Sequence, residues 1–303
     1  MQLLPSFLTT IFFSLSVIFA ARSSRLLGTR TANLGRIVVA TFLLGIWAHG
    51  VGQGLHGPAF RWFFLSGVIG FGLGDMAMFC ALPRIGPRLS ILLTQCLAAP
   101  LATAMEWLWL GTTLHTSEMI CAGVILCGVA LALAPDHGRE GDRATFWTGV
   151  LFGLGSALGQ ASGAVISRKA NLIAAQAHFE IDGGTAAYQR IVGGVLTTAL
   201  TMLILHRLYR SETPAKAEAR RSGWIFVVAN ALAGPSIGVG CYQWALRKTP
   251  SGVVLPIVAT SPLMTILLAF LIEGQRPSRR AISGGIIAVA GAAALSWMQS
   301  AEH

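Results

Sequence analysis

Long apolar segments separated by short polar connections recur along the whole chain. Each segment holds about 20 mostly apolar residues, which is the length that a helix needs to cross the hydrocarbon core of a bilayer. The pattern predicts an all-α polytopic membrane protein with ten transmembrane helices, spans one to ten, at 3–21, 31–51, 61–82, 86–108, 117–134, 147–167, 185–206, 222–246, 250–272 and 281–299. No soluble domain of useful size fits between them.

The composition supports a lipid environment. Apolar residues make up 54% of the 303 residues and charged residues 11%, whereas a soluble domain carries roughly a quarter charged residues. The net charge of +10 is explained by basic residues that flank transmembrane helices, so we expect a lipid bilayer and no nucleic acid as partner. The five cysteines fall inside spans without the spacing of a metal site, so neither a metal nor another cofactor is expected.

The second half of the chain repeats the first. Residues 35–38 (GRIV) correspond to 189–192 (QRIV), and residues 79–84 (FCALPR) at the end of span three correspond to 243–248 (QWALRK) at the end of span eight. The predicted units are a first five-helix repeat at 1–135, a connecting loop at 136–146 and a second five-helix repeat at 147–303. Because five is odd, the second repeat enters the membrane in the opposite orientation. Inverted repeats are typical of secondary transporters, whose substrate site lies near the bilayer midplane.

Three paired features resemble a known family. Spans three and eight end in a stretch with an aromatic residue, Ala-Leu and a basic residue, spans four and nine contain Pro100 and Pro262, and spans five and ten contain Gly-Ile-Ile-type runs. In this order, and with Glu273-Gly274 after span nine, they resemble the EamA-type branch of the drug/metabolite transporter superfamily over nearly the whole chain. The resemblance implies export or exchange of small metabolites and no enzymatic step. The first half departs from the family at Thr112, where an acidic residue often follows glycine.

Very few ionisable side chains lie inside the spans, namely Arg36, Asp75, Glu106 and Arg190. Such residues are costly in a bilayer and are functional candidates by default. Helix geometry puts Arg36 and Asp75 at similar depth near one face, and Arg190 and Glu106 near the other, so we expect two ion pairs. Each pair fits a structural role, and for Asp75 a coupling role fits equally well, in which the carboxyl group takes up and releases a proton. Basic residues at span ends, such as Arg168, are expected to reach lipid headgroups.

Uncharged polar residues inside the spans are candidates for the wall of a substrate cavity. A buried amide without a partner costs roughly a few kcal/mol, so each one either bonds to a neighbouring helix or faces water. The predicted cavity residues are Gln95, Gln160, Asn230, Tyr242, Gln243, Trp244 and Thr260. The prolines that bend spans four and nine are Pro100, Pro256 and Pro262. Because bent helices expose backbone carbonyls, we expect spans four and nine to line a central cavity with spans one, three, six and eight, and a small polar or amphipathic metabolite to bind there.

Other functions fit parts of the sequence. Residues 72–75 (GLGD) match the GxGD motif of intramembrane aspartyl proteases, but that chemistry needs two aspartates, and no second aspartate lies in a span. A lipid-handling or scaffold subunit is the main alternative, although mid-span Gln and Asn residues argue against it. Glycines spaced four apart pack helices inside one bundle or at a dimer interface, so a monomer and a weak homodimer both stay open.

The distribution of basic residues predicts the orientation. Fifteen of the 22 Lys and Arg residues lie in the connections after spans one, three, five, seven and nine, and five lie at the other face. The positive-inside rule therefore predicts that both termini face away from the cytoplasm. We expect a multi-pass protein of the cell membrane, in the bacterial inner membrane.

Overall fold

The computed structural model describes residues 3–133, 143–205, 217–273 and 278–301, and within these ranges the chain forms helices and no strand. The elements are α1 (Leu4–Leu27), α2 (Thr29–Gly50), α3 (Phe60–Gly67), the π-helical segment π1 (Val68–Gly74), α4 (Asp75–Leu110), α5 (Thr116–Leu133), α6 (Arg143–Gln176), α7 (Gly183–Leu205), α8 (Ala217–Ala231), the π-helical segment π2 (Leu232–Gly238), α9 (Val239–Lys248), α10 (Ser251–Val258), α11 (Ser261–Glu273) and α12 (Arg279–Ala301).

Apolar side chains cover much of the outside of these helices. Phe42, Leu108, Leu203 and Trp297 are each more than two-thirds exposed, which is the surface of a protein that lies in lipid. The described segments that are long and apolar enough to cross a bilayer are Leu4–Leu27, Thr31–Gly50, Leu89–Leu110, Thr116–Leu133, Arg143–Gln176, Arg221–Lys248 and Ser251–Leu268. The chain is therefore a multi-pass membrane protein, with these 7 candidate spans among the described residues.

The chain reverses its direction within α4. Gly74 lies against Gly159 of α6, and Ile85 lies against Gly149, nearer the start of α6. Glu106 then meets the C-terminal part of α6. One stretch of helical backbone therefore runs along α6 in both directions, as two antiparallel spans would.

The packing of one half recurs in the other. α1 packs against α8, α3 packs against α6, and α5 and α12, which end the two halves, pack on each other. The backbones of α5 and α12 meet at two glycines, since a Cβ on Gly128 would lie 2.6 Å from the carbonyl oxygen of Gly284. The segments π1 and π2 also occupy equivalent places in spans three and eight. The described helices thus form two similar halves.

The connections differ in part from the sequence-based expectation. α4 ends at Leu110 because Gly111 adopts a left-handed conformation, with a φ of 69°. The predicted connecting loop at 136–146 is too long at its C-terminal end, since α6 already begins at Arg143. Residues 136–142 and Gly274 lie outside the described residues.

Candidate functional site

A central cavity of about 540 Å³ lies between the two halves. Its wall contains residues of α1, α2, π1, α4, α6 and α7, and of π2, α9, α10 and α11. Spans one, three, four, six, eight and nine, which the sequence predicts to line the cavity, therefore each contribute residues to its wall. Spans two and seven also contribute, through Arg36 and Arg190. A volume in this range suits a small organic molecule.

Four uncharged residues that the sequence singles out line this cavity. Gln95 and Gln160 line it, and the Gln160 amide Nε2 donates to Oε1 of Gln95 at 2.8 Å. Tyr242 and Pro262 line it from α9 and α11. The two glutamine amides therefore form a hydrogen bond between α4 and α6, and both residues also line the cavity.

Four other predicted residues do not line the central cavity. Asn230 is 2% exposed and accepts a hydrogen bond from the Ser16 hydroxyl at 2.6 Å. Gln243 is 1% exposed, Trp244 lies on the outer surface, and the Thr260 hydroxyl donates to a carbonyl one turn earlier. For Gln243 and Trp244 the reason is helix rotation, since consecutive helical residues point about 100° apart. With Tyr242 facing the cavity, the next two side chains face elsewhere.

Within the part of the chain that the structure describes, three charged side chains line the central cavity, and they are Arg36, Asp75 and Arg190. Arg36 donates from Nη2 to Oδ1 of Asn33 at 2.8 Å and forms no direct ion pair with Asp75 among the described contacts. Both guanidinium charges nevertheless act on the Asp75 carboxyl group. The predicted pair thus shares one cavity in this structure without direct contact.

Arg190 points into a space that glycines leave open. Its guanidinium carbon lies 4.9 Å from the ring centre of Phe71 and 5.7 Å from that of Tyr242. A Cβ on Gly70 would lie 2.7 Å from Nη2 of Arg190, and one on Gly163 would lie 3.1 Å away. The glycines of π1 and α6 therefore both pack the bundle and make room for this cation.

Glu106 pairs with Arg168, so the predicted Glu106–Arg190 pair is wrong. Arg168 Nε lies 3.5 Å from Oε1 of Glu106, and Arg168 Nη1 donates to the carbonyls of Leu246 and Arg247 at 3.0 and 2.8 Å. The backbone N–H and the hydroxyl of Ser251 both donate to Oε2 of Glu106. Arg168 therefore bonds inside the protein rather than to lipid headgroups. These groups are called the Glu106 network below.

Small buried residues separate the central cavity from the Glu106 network. Ala161, Ala164 and Val165 of α6 pack against Ala245 and Leu246 of α9, and each is at most 1% exposed. The three residues of α6 lie between Gln160, which lines the cavity, and Arg168, which belongs to the Glu106 network. The cavity is therefore closed at the end where α6 reaches its C-terminus.

Of the predicted bend-forming prolines, Pro262 lines the cavity at a helix break. α10 ends at Val258 and α11 begins at Ser261. Pro262 has no N–H for the Val258 carbonyl, which accepts a hydrogen bond from the Ser261 hydroxyl instead. The Ser14 hydroxyl of α1 donates to the Ser261 carbonyl at 2.8 Å, so protein groups satisfy the opened backbone.

The other prolines have different places. Pro256 is buried within α10, and Pro100 is exposed on α4, so Pro100 is not part of the cavity wall. Pro235 of π2 also lines the cavity, although it is not among the prolines predicted to bend a span. Its position among glycines, in the sequence LAGPSIG, is the signal that would have identified a distorted helix there.

Asp182 fixes the start of α7 and thereby the position of Arg190 two turns later. It accepts hydrogen bonds from the indole Nε1 of Trp47 at 2.8 Å, from the backbone N–H groups of Gly184 and Thr185 at 2.8 and 3.0 Å, and from the Thr185 hydroxyl. Partial burial acts to raise the pKa of this carboxyl, but the hydrogen bonds outweigh burial and hold the pKa below its usual range.

Comparisons with known proteins agree with this architecture. A family model described as the EamA-like transporter family matches residues 2–134 and 147–297. A protein of known crystal structure is similar in fold, with a TM-score of 0.70 at 22% sequence identity over 96% of each chain. No curated protein matches the chain. Within the described ranges, His, Cys, Asp and Glu residues form no group of three or more that is placed to hold a metal ion.

Proposed function

This chain belongs to the EamA-like transporter family, and from that premise we propose that it is a secondary active transporter. It exports or exchanges small polar or amphipathic metabolites across the cell membrane, in the bacterial inner membrane, by alternating access. The observation that carries this proposal is the central cavity of about 540 Å³ with three charged residues in its wall, between two similar halves. Charged groups facing a cavity inside the membrane are typical of substrate and ion pathways.

The transporter has ten spans in two inverted five-helix halves. Three helical stretches add to the 7 candidate spans: residues 60–85 before the reversal in α4, then α7 and α12. Both termini face away from the cytoplasm, as the distribution of basic residues favours. The recurring helix contacts and the paired π segments support the two-half arrangement.

Alternating access requires the closed end of the central cavity to open. The Glu106 network joins α4 and α6 to the end of α9 and the start of α10. Opening this end separates these helices and breaks the network. The break between α10 and α11 gives span nine a place to bend, because its backbone there is bonded to side chains rather than to a continuous helix.

Asp75 carries the coupling proton in this mechanism. Asp75 and Arg36 pair in one state and separate in the other, and Asp75 takes up a proton when it loses its partner. The arrangement with Arg36 bonded to Asn33 represents the separated state. Arg190 remains in the cavity as a second positive charge that acts on Asp75.

Flux measurements in reconstituted vesicles test the proposal. The purified full-length protein is reconstituted into liposomes, a pH gradient is imposed, and uptake of a panel of labelled metabolites is compared with protein-free liposomes. A transporter gives saturable uptake of at least one compound, which changes with the gradient. Absence of protein-dependent flux for every compound, with and without a gradient, would contradict a transport function.

A further inference from the structure

Arg190 is a buried cation without a matching anion. It is 6% exposed, and its Nε has no hydrogen-bond partner. Among the described residues, no carboxylate lies within ion-pair distance of its guanidinium group. Desolvating such a charge costs roughly several kcal/mol, and the contacts with the Phe71 and Tyr242 rings offset only part of that cost.

Arg168 shows how this fold satisfies an arginine that has a structural role. Its Nε also lacks a hydrogen bond, but it lies 3.5 Å from Oε1 of Glu106, and Nη1 donates to two backbone carbonyls. Arg190 has aromatic faces and glycines around it instead, so its donors are free to bind a group that enters the central cavity. A guanidinium group with free donors binds carboxylate-like oxygens through two parallel hydrogen bonds.

The charge balance of the cavity selects the net charge of that group. Among the described residues, two arginines and one aspartate line the cavity, so its wall carries an excess of positive charge whether or not Asp75 is protonated. A ligand with a single negative charge reduces that excess. A zwitterion leaves the excess unchanged, and a cation increases it. An ammonium group that approached Asp75 would be repelled by the same two guanidinium charges that act on this carboxyl group.

The uncharged residues of the cavity wall favour a ligand with a large apolar part. Phe13, Phe71, Tyr242, Met78 and Val239 present aromatic and aliphatic surface to the cavity. We propose that the central cavity binds an organic monoanion with a large apolar part, whose anionic group accepts hydrogen bonds from Arg190. This inference rests on the transport function proposed above. The class comprises aromatic or branched compounds with one carboxylate or sulfonate group.

Probes of different net charge test this inference through binding, separately from transport. The full-length protein in phosphatidylcholine nanodiscs is titrated with phenylmethanesulfonate, benzyltrimethylammonium and phenylalanine, which carry one ring and differ in charge, and thermal stabilisation gives the dissociation constant. We expect phenylmethanesulfonate to bind at least about tenfold more tightly than the other two probes, because only this probe brings a net negative charge to the donors of Arg190. Arg190→Gln should weaken its binding about tenfold or more, and Arg190→Lys less. Arg279→Gln, at an exposed position outside the cavity, is the matched control.

The outcomes separate this inference from the proposed function. Equal binding of the three probes, or no binding of the sulfonate, overturns the inference even if vesicles transport another compound. Sulfonate binding that depends on Arg190 without any flux supports the binding site and contradicts transport. A response only to added phosphatidylglycerol, an anionic lipid, assigns Arg190 to a lipid and also overturns the inference. If Arg190→Gln does not fold, the probe series on the unchanged protein still decides the charge preference.

Discussion

Arg168 Nε lies 3.5 Å from Oε1 of Glu106, and this pair joins helices from both halves of the protein. Glu106 accepts a hydrogen bond from Ser251 at the start of α10, and Arg168 donates to backbone carbonyls at the end of α9. The pair is buried beside small apolar residues that close the central cavity at one end. Its strength therefore influences both the stability of the protein and the opening of the cavity.

Glu106→Gln should destabilise the protein, because it keeps the shape of the side chain and leaves Arg168 buried without an anion. Losing one partner of a buried pair costs about 3–5 kcal/mol. Glu180→Gln is the control, since Glu180 forms an exposed pair with Arg247, and exposed pairs contribute at most about 1 kcal/mol. Unfolding of both variants in the same detergent measures the difference. Equal stabilities would show that the Glu106 network does not hold the closed end.

Asp75→Asn should abolish transport driven by a proton gradient and leave substrate exchange measurable, because the amide cannot take up a proton. Arg36→Ala should reduce stability as well as transport, since it removes a positive charge that acts on the partly buried Asp75. Counterflow and gradient-driven uptake in vesicles separate the two effects. Normal gradient-driven transport by Asp75→Asn would make Asp75 a packing or folding residue.

Cysteines introduced at the two cavity glutamines should react with a small polar thiol reagent. In a cysteine-free background, Gln95→Cys and Gln160→Cys are expected to react, because both positions line the cavity. Gln243→Cys and Asn230→Cys are the matched buried positions and should react more slowly in this state. Labelling rates measure the contrast. Protection of both Gln95→Cys and Gln160→Cys would refute a water-accessible cavity.

Asp182→Asn should lower stability at neutral pH and have less effect in acid. Hydrogen bonds hold the pKa of Asp182 below its usual range, so its contribution is present above the unfolded-state pKa of about 3.9 and is lost as the pH falls through the folded-state pKa. The difference in melting temperature between the variant and the unchanged protein, followed from pH 7 downwards, isolates this carboxyl. A difference that grows in acid would contradict the assignment.

A reporter at the C-terminus tests the predicted orientation. Fifteen basic residues lie in the connections at one face and five at the other, so both termini should face away from the cytoplasm. Alkaline phosphatase fused after residue 303 should then be active in a bacterial host, and a cytoplasmic reporter at the same site should be inactive. The reverse pattern would place the termini in the cytoplasm.

The sequence by itself determined the membrane class, the repeat and the family. These properties follow from local hydropathy and from the order of short motifs, which do not depend on how the helices rotate. Arg36, Asp75 and Arg190 stood out because charged residues are rare inside apolar spans, and all three line the central cavity. The bend near Pro262 was also predictable, because proline lacks the N–H group that a helix needs.

Only the tertiary structure decided which side chains meet. Tyr242 and Gln243 are neighbours in sequence, yet only the first lines the cavity, because helix rotation is set by contacts with distant segments. Glu106 pairs with Arg168 because the chain reverses within α4 and returns along α6, which span boundaries alone do not specify. The free donors of Arg190 became visible only when its neighbours were known to be glycines and aromatic rings. Hydropathy places residues by depth in the membrane, and long-range packing assigns their partners.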